Sequence, residues 1–267
     1  MILEILQYDF MRRALLAGLI TAIVAPTIGI FFVVRRYSAM ADTIAHLSLA
    51  GVAGSLLAGT AMIPTALGFS ILSVLGIERM REKRTLPSDT IVSLFLFGGL
   101  ALAVVLIGLA RGKNVNVLNY LFGSILTVTN QDLILISVIG LITLITTALL
   151  WPLFFSVSLD EETAEAHGLP IRALNRTLAV LGAATVAISI NIVGVLLIGA
   201  LMVIPVLTSM KLRLGFFLTW AWAVVSSVIS VILGLLLSYT FNLASGGVIV
   251  LVAIFFFMMA SLKQAEK

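Results

Sequence analysis

The stretch LGFFLTWAWAVVSSVISVILGLLLSYTFNLASGGVIVLVAIFFFMMASL, residues 214–262, contains no charged side chain. A helix needs about 20 mainly apolar residues to cross a bilayer, so this stretch is long enough for two crossings. Asn242–Gly247 contains residue types that end helices, and we expect the bend between the two crossings there. The C-terminal part of the chain is therefore predicted to be a transmembrane helical hairpin.

The composition of the whole chain agrees with a membrane protein. Of its 267 residues, 61% are hydrophobic and only 10% are charged, whereas a soluble domain carries about 25% charged residues. This composition excludes a soluble globular domain, a disordered chain and a nucleic-acid binder with a basic face. The absence of cysteine excludes a disulfide-stapled secreted domain. Membrane lipid, and not nucleic acid, is the expected surrounding of this chain.

Two further regions are long enough for two crossings each. Residues 177–210 carry no charge between Arg176 and Lys211, and Asn191–Gly194 is the expected bend. Residues 37–77 are apolar apart from Asp42 and His46, and we expect two short crossings there, broken near Pro64. Single crossings are predicted at three more uncharged stretches: 14–34, 89–110 and 132–152.

The chain is therefore predicted to be all-α, a polytopic integral membrane protein with about eight to nine transmembrane helices. Residues 1–267 are expected to form one membrane domain. Lys and Arg accumulate in cytoplasmic loops, which places the densest basic cluster, Arg79–Arg84, in the cytoplasm. If successive loops alternate between the two sides of the membrane, four basic residues lie on the external side: Arg12, Arg13, Arg111 and Lys113.

The loop at about 153–176 has a charge pattern of its own. Four acids stand at its front (Asp160, Glu161, Glu162 and Glu165), and Arg172 and Arg176 stand at its back. This order suits a helix–Gly168–Pro170–helix unit whose charges match the helix ends. Two interpretations stay open on the charge pattern: a solvated cytoplasmic hairpin, and a docking surface for a soluble partner.

Asp42 and His46 are the residues of chemical interest in the membrane part of the chain. An acid inside a hydrophobic segment costs about 2.5–3.5 kcal/mol unless it has a partner or a watery cavity. On a helix, positions i and i+4 share a face, so the carboxylate and the imidazole would point the same way. One oxygen and one nitrogen ligand suit Zn²⁺ or Mn²⁺, and two ligands suit a transient site on a transport path.

Three other interpretations compete at this stage. Asp42 could cap the second helix, His46 could be a core histidine with one hydrogen bond, or the pair could relay protons. Nucleotide-binding GxxxxGK[ST], HExxH and GxSxG motifs are absent from the sequence, so we do not expect an enzyme that hydrolyses ATP by itself.

RRYSAMADTIAHLSLAGVA (Arg35–Ala53) resembles the signature of the metal-ion permeases of ABC importers, the zinc, manganese and iron family. There an arginine-ended helix is followed by a Gly-Asp-x-x-x-His segment, with Ala41 replacing the glycine here. Further similar segments follow in order over nearly the whole chain: Leu86–Thr90, Asn119–Leu133, Leu159–Pro170, Val193–Ser209 and Ala244–Ala253.

This resemblance implies the type II ABC importer fold, in which two permease copies form a pore in the bacterial plasma membrane. Asp42 and His46 would line the path of the transported Zn²⁺ or Mn²⁺, with no permanently bound cofactor. A cytoplasmic ATPase subunit, which holds the ATP, would dock on the loop through Asp160, Glu161, Glu162 and Gly168. An extracytoplasmic metal-binding protein would deliver the ion. Within the family, Ala45–Ser48 and Tyr120–Gly123 look more like zinc permeases.

Two rival functions remain open on the sequence. A secondary, ion-coupled metal transporter would need no ATPase and would transport in liposomes by itself. A structural membrane subunit without a pore would bind no metal and would tolerate Asn at position 42.

Overall fold

A computed structural model of the chain describes residues 8–83, 85–110, 121–124 and 128–265. In that part of the chain the helices of more than two residues are α1 (Asp9–Val34), α2 (Ser38–Ala58), α3 (Met62–Glu82), α4 (Ser88–Leu109), α5 (Asn130–Leu159), α6 (Glu161–Ala166), α7 (Ile171–Val193), α8 (Val195–Met210), α9 (Phe216–Phe241) and α10 (Ser245–Ala265).

Eight of these helices are long and apolar enough to cross a membrane. They are α1 to α5, α7, α9 and α10. Helix α8 is apolar but shorter, with 16 residues, or about 24 Å at the usual rise per residue. The predicted all-α fold with eight to nine transmembrane helices is therefore confirmed.

The chain turns between helices at residues that adopt a left-handed backbone conformation. Gly194, with a φ of 82°, separates α7 from α8, and Asn242, with a φ of 52°, ends α9. Both predicted bends are confirmed. The break between α2 and α3 falls at Gly59 (φ 68°) and not at Pro64, which lies in the first turn of α3. Proline is tolerated in a first turn because its missing N–H has no partner there, so Pro64 does not mark the break.

The predicted cytoplasmic segments meet at one end of the helical bundle. Arg35 at the end of α1 pairs with Glu161 of α6, and Arg176 near the start of α7 pairs with Glu82 at the end of α3. At the other end, Arg13 donates a hydrogen bond to Asn130 at the start of α5. This grouping agrees with the alternation expected from the basic residues. Arg84, Arg111 and Lys113 lie outside the described residues.

The connection between α5 and α7 is shorter than the expected loop of 153–176. Helix α5 continues to Leu159 and α7 begins at Ile171. Only residues 160–170 therefore lie between these two long helices. They hold the short helix α6, then Gly168 with a φ of 80° and Pro170 just before α7. The helix–Gly–Pro–helix arrangement is confirmed, but the loop is shorter than the predicted 153–176.

Helices α1, α2 and α7 form the centre of the bundle. Between 72% and 78% of each of their spans is buried, compared with 22% to 28% for α4, α5 and α10. Helix α8 packs against both α1 and α2. Its approach to α1 is so close that a Cβ on Gly29 would overlap the carbonyl oxygen of Met202. Helix α8 thus lies beside α1 and also beside α2, the helix that carries Asp42 and His46.

Candidate metal site on helix α2

Asp42 is an interior residue of α2 and not its cap. The N-cap position is Tyr37 and the helix begins at Ser38, so the Asp42 carboxylate lies beyond the first turn, where no free backbone N–H needs an acceptor. The capping role that the sequence left open for Asp42 is therefore wrong.

Asp42 and His46 form the accessible side of an otherwise buried stretch of helix. Asp42 is exposed and His46 is partly exposed, whereas Ala41 and the three residues between the pair, Thr43, Ile44 and Ala45, are all buried. The two side chains share one face, as their spacing predicted. A carboxylate and an imidazole thus reach the open surface together from a helix at the centre of the bundle.

Helix α8 forms one wall beside the carboxylate. A Cβ on Gly199 would overlap Asp42 Oδ1 and would lie 3.4 Å from the Asp42 backbone nitrogen. The Asp42 side chain therefore fills the space that a side chain at position 199 would need. This contact places the carboxylate at the seam between α2 and α8.

The imidazole of His46 is not satisfied by the described part of the protein. Its Nδ1 atom is buried and has no hydrogen-bond partner there, which does not fit a core histidine held by a hydrogen bond through that nitrogen. A buried polar atom without a partner calls for an explanation such as a bound water or ion. Neutral imidazole nitrogen is a common metal ligand, so His46 has the chemistry of a ligand.

The pair by itself provides two ligands. In the described residues, no group of three or more His, Cys, Asp or Glu side chains could hold a metal ion. The other histidine of the chain, His167, follows α6, and its Nδ1 lies 2.7 Å from the Thr163 carbonyl oxygen. Structural zinc sites normally have four protein ligands, so Asp42 and His46 can form only an open, weakly held site within one chain.

The four residues expected to dock a partner differ in what they do within the chain. Asp160 caps α6 by accepting hydrogen bonds from the Thr163 backbone N–H at 3.1 Å and the Thr163 hydroxyl at 2.5 Å. These hydrogen bonds lower the pKa of the Asp160 carboxyl. Glu161 accepts hydrogen bonds from Arg35 and Asn175. Glu162 and Gly168 are exposed.

A cluster of charged side chains around Tyr37 was not anticipated from the sequence. The guanidinium groups of Arg35 and Arg81 lie 5.2 Å and 4.3 Å from the centre of the Tyr37 ring. Arg81 also donates hydrogen bonds to the Tyr37 hydroxyl and, at 2.5 Å, to Glu78. The i,i+3 spacing of Glu78 and Arg81 is the one signal of this cluster in the sequence, and on the sequence alone the basic residues served only to place that loop in the cytoplasm.

A polar cavity of about 350 Å³ lies beside this cluster. Its walls come from the end of α3, from α6 and from the start of α7, and they include Glu82, Glu165 and Arg172. The ends of several membrane helices thus meet α6 around one water-accessible space.

Comparison with known proteins assigns the family. The model of the ABC 3 transport family matches residues 7–264. A manganese transport system membrane protein of Listeria monocytogenes is 33% identical over 97% of this chain and 92% of that protein. A high-affinity zinc uptake system membrane protein of Haemophilus influenzae is 28% identical over 97% of this chain and 99% of that protein. These relatives do not favour zinc over manganese.

The fold agrees with this assignment. The structure of PsaBC from Streptococcus pneumoniae in complex with Fab matches with a TM-score of 0.86 and 30% sequence identity, over 97% of this chain and 95% of that one. Eight apolar helices of membrane length and relatives that are membrane transport proteins make this chain a multi-pass protein of the bacterial plasma membrane. The chain belongs to the ABC 3 transport family of metal-ion importer permeases.

Proposed function

We propose that this chain is the translocation subunit of an ATP-driven importer whose substrate is a divalent transition-metal ion. It works as a homodimer, with a cytoplasmic ATPase subunit at the end of the bundle that carries α6. An extracytoplasmic metal-binding protein delivers the ion at the opposite end. Family membership and relatives named for manganese and zinc transport support the class of substrate.

The observation that carries this proposal is the accessible Asp42–His46 pair on a buried helix. A carboxylate within a membrane helix is expensive unless it faces protein or water, and such residues commonly mark the path of an ion. Here the carboxylate is exposed at the α2–α8 seam, and a buried nitrogen of the neighbouring imidazole has no partner. Both features fit a site that is filled only while an ion passes.

A second copy of the chain supplies the missing ligands in this proposal. Two protomers that bring their α2–α8 seams together would contribute two carboxylates and two imidazoles, the number of ligands in a tetrahedral site. A site divided between protomers can open on either side, which suits an ion that must also leave.

Zinc is the first candidate among the metals. Imidazole together with carboxylate binds both Zn²⁺ and Mn²⁺, and the family-like segment Ala45–Ser48 favours zinc. The other half of the sequence argument for zinc rests on a segment that begins at Tyr120, outside the described residues.

Uptake by the reconstituted importer tests the proposal. The chain is purified with its ATPase subunit and binding protein, placed in proteoliposomes and supplied with ⁶⁵Zn²⁺, with Mn²⁺ as competitor. ATP-dependent uptake is expected. Asp42→Asn should abolish uptake while the ATPase subunit still co-purifies, and Asp89→Asn, a change at an exposed acid in the first turn of α4, should not.

Each alternative predicts a different result. Uptake by this chain alone, driven by a pH gradient without ATP, would identify a secondary transporter. Normal uptake by Asp42→Asn would show that the ion path is assigned to the wrong residue.

A further inference from the structure

One ion pair joins α6 to the end of α1. Arg35 Nη2 lies 2.8 Å from Glu161 Oε2, and the Arg35 side chain is only 6% exposed, whereas that of Glu161 is 44% exposed. Removing the partner of a buried charge is strongly unfavourable. The pair therefore holds the first residue of α6 against the end of α1.

Helix α6 lies mostly at the surface of the described part of the protein. Five of its six residues are exposed, and Ala164 is the buried one. Among the described residues, Glu161 is the α6 residue whose side chain hydrogen-bonds to α1, through Arg35. Glu161 also accepts a hydrogen bond at 3.3 Å from Asn175 of α7. A force applied to α6 would thus reach α1 through the Arg35 side chain.

Arg35 is also separated from α2 by a short, fixed turn. Arg35 is the C-cap of α1, and α2 begins three residues later at Ser38. Backbone hydrogen bonds close the turn, from Arg36 to Val33 at 3.0 Å and from Tyr37 to Phe32 at 2.7 Å. The guanidinium groups of Arg35 and Arg81 both lie over the Tyr37 ring. Displacement of Arg35 must therefore displace this turn.

The turn continues directly into the helix that bears the proposed metal ligands. Tyr37 is the N-cap of α2, and Asp42 lies five positions later inside that unbroken helix. Helices transmit displacements along their length as rigid elements. The chain of contacts from Glu161 to Arg35, to the Tyr37 turn and to Asp42 is thus continuous.

We infer that the Arg35–Glu161 ion pair links movement of α6 to the position of the metal ligands on α2. This inference rests on the proposed function, in which an ATPase subunit acts on α6. Arg35 and Glu161 are positioning residues: they do not touch the ion, and they determine how much of the movement of α6 reaches Asp42 and His46.

The test measures metal uptake and ATP hydrolysis in the same proteoliposomes containing the complete importer. For Arg35→Gln and Glu161→Gln, compared with the wild type at equal amounts of bound ATPase subunit, we expect uptake per ATP to fall about fivefold or more, the lower range of allosteric couplings. The double exchange Arg35→Glu with Glu161→Arg should recover part of that loss. Arg12→Gln breaks an exposed pair with Asp9 near the start of α1 and should keep the wild-type ratio.

The outcomes separate this inference from the proposed function. If the wild-type complex takes up no metal, the proposed function is wrong. If the wild type transports and Glu161→Gln retains its uptake per ATP, the link is wrong and the function stands. Because the Glu161 side chain is partly exposed, Glu161→Gln decides the question even where Arg35→Gln fails to fold.

Discussion

Gly199 of α8 lies so close to Asp42 of α2 that the Asp42 carboxylate occupies the position of the missing side chain. Only a residue without a Cβ leaves that space free. The position of the Asp42 carboxylate at the α2–α8 seam therefore depends on Gly199, a residue without a side chain.

We expect Gly199→Val to reduce metal uptake about tenfold at low metal concentration, equivalent to about 1.4 kcal/mol of binding free energy. The valine side chain would push the Asp42 carboxylate away from the seam and disturb the geometry of the ligands. Gly199→Ala should have a smaller effect in the same direction. Initial rates of ⁶⁵Zn²⁺ uptake by the reconstituted importer measure both.

The matched control is Gly98→Val in α4, where a new Cβ would have no heavy atom within 4 Å. It should transport normally. Wild-type uptake by Gly199→Val would mean that the carboxylate tolerates displacement and that Gly199 does not position it.

Replacing the imidazole by a carboxylate should change which metal is preferred. Mn²⁺ prefers oxygen ligands more than Zn²⁺ does, so His46→Glu should raise the ratio of manganese to zinc uptake, although total uptake falls. Competition between the two metals in one uptake assay gives this ratio. The control His167→Glu, at the other histidine of the chain, should leave the ratio of manganese to zinc uptake unchanged. An equal decrease in the uptake of both metals by His46→Glu would contradict a ligand role for His46.

The gaps between charges were enough to predict the membrane helices. The stretches 14–34 and 132–152 lie within α1 and α5, and 89–110 differs from α4 by one residue at each end. This works because a charge inside a bilayer is costly, so the positions of charges limit the lengths of the helices. The shared face of Asp42 and His46 was predictable for a different reason: residues four positions apart lie on the same side of a helix.

Contacts between distant parts of the chain were not predictable. Nothing in the sequence indicates that Gly199 lies beside Asp42, because helix packing and not local spacing brings α8 to α2. The Arg35–Glu161 pair spans 126 positions of the chain, and acids and bases are too numerous near these helix ends for a unique pairing. Pro64 was misleading because the effect of a proline depends on its position in the helix, which the sequence does not reveal.

Two glycines with similar φ values should differ in their tolerance of alanine. Gly168 has a φ of 80° and open space around its Cβ position, whereas Gly194 has a φ of 82° and a Cβ position crowded by the backbone of Leu121–Gly123. Gly168→Ala should cost about 1–2 kcal/mol from the left-handed backbone alone. Gly194→Ala adds a backbone clash and should lower the melting temperature in detergent further. Equal melting temperatures for the two variants would contradict the close packing at Gly194.

The cap of α6 should make its stability depend on pH. Hydrogen bonds from the Thr163 hydroxyl and backbone N–H hold the pKa of Asp160 below its ordinary value of 3.8. A lowered pKa means that the folded state favours the carboxylate, so the stabilisation is complete above the ordinary pKa. It is lost as the pH falls through the lowered one. Protonation then weakens the acceptor at the N-cap.

Asp160→Asn isolates this effect, because asparagine caps a helix about as well as aspartate but does not titrate. We expect the melting temperature of the wild type, measured relative to Asp160→Asn in detergent, to stay constant between pH 7 and about pH 5 and to decrease as the pH falls below about 4. Thr163→Val removes the hydroxyl donor that contributes most to lowering the pKa. It should therefore shift the loss of stability to higher pH. A difference in melting temperature that is independent of pH would show that the Asp160 carboxylate does not stabilise α6 through its charge.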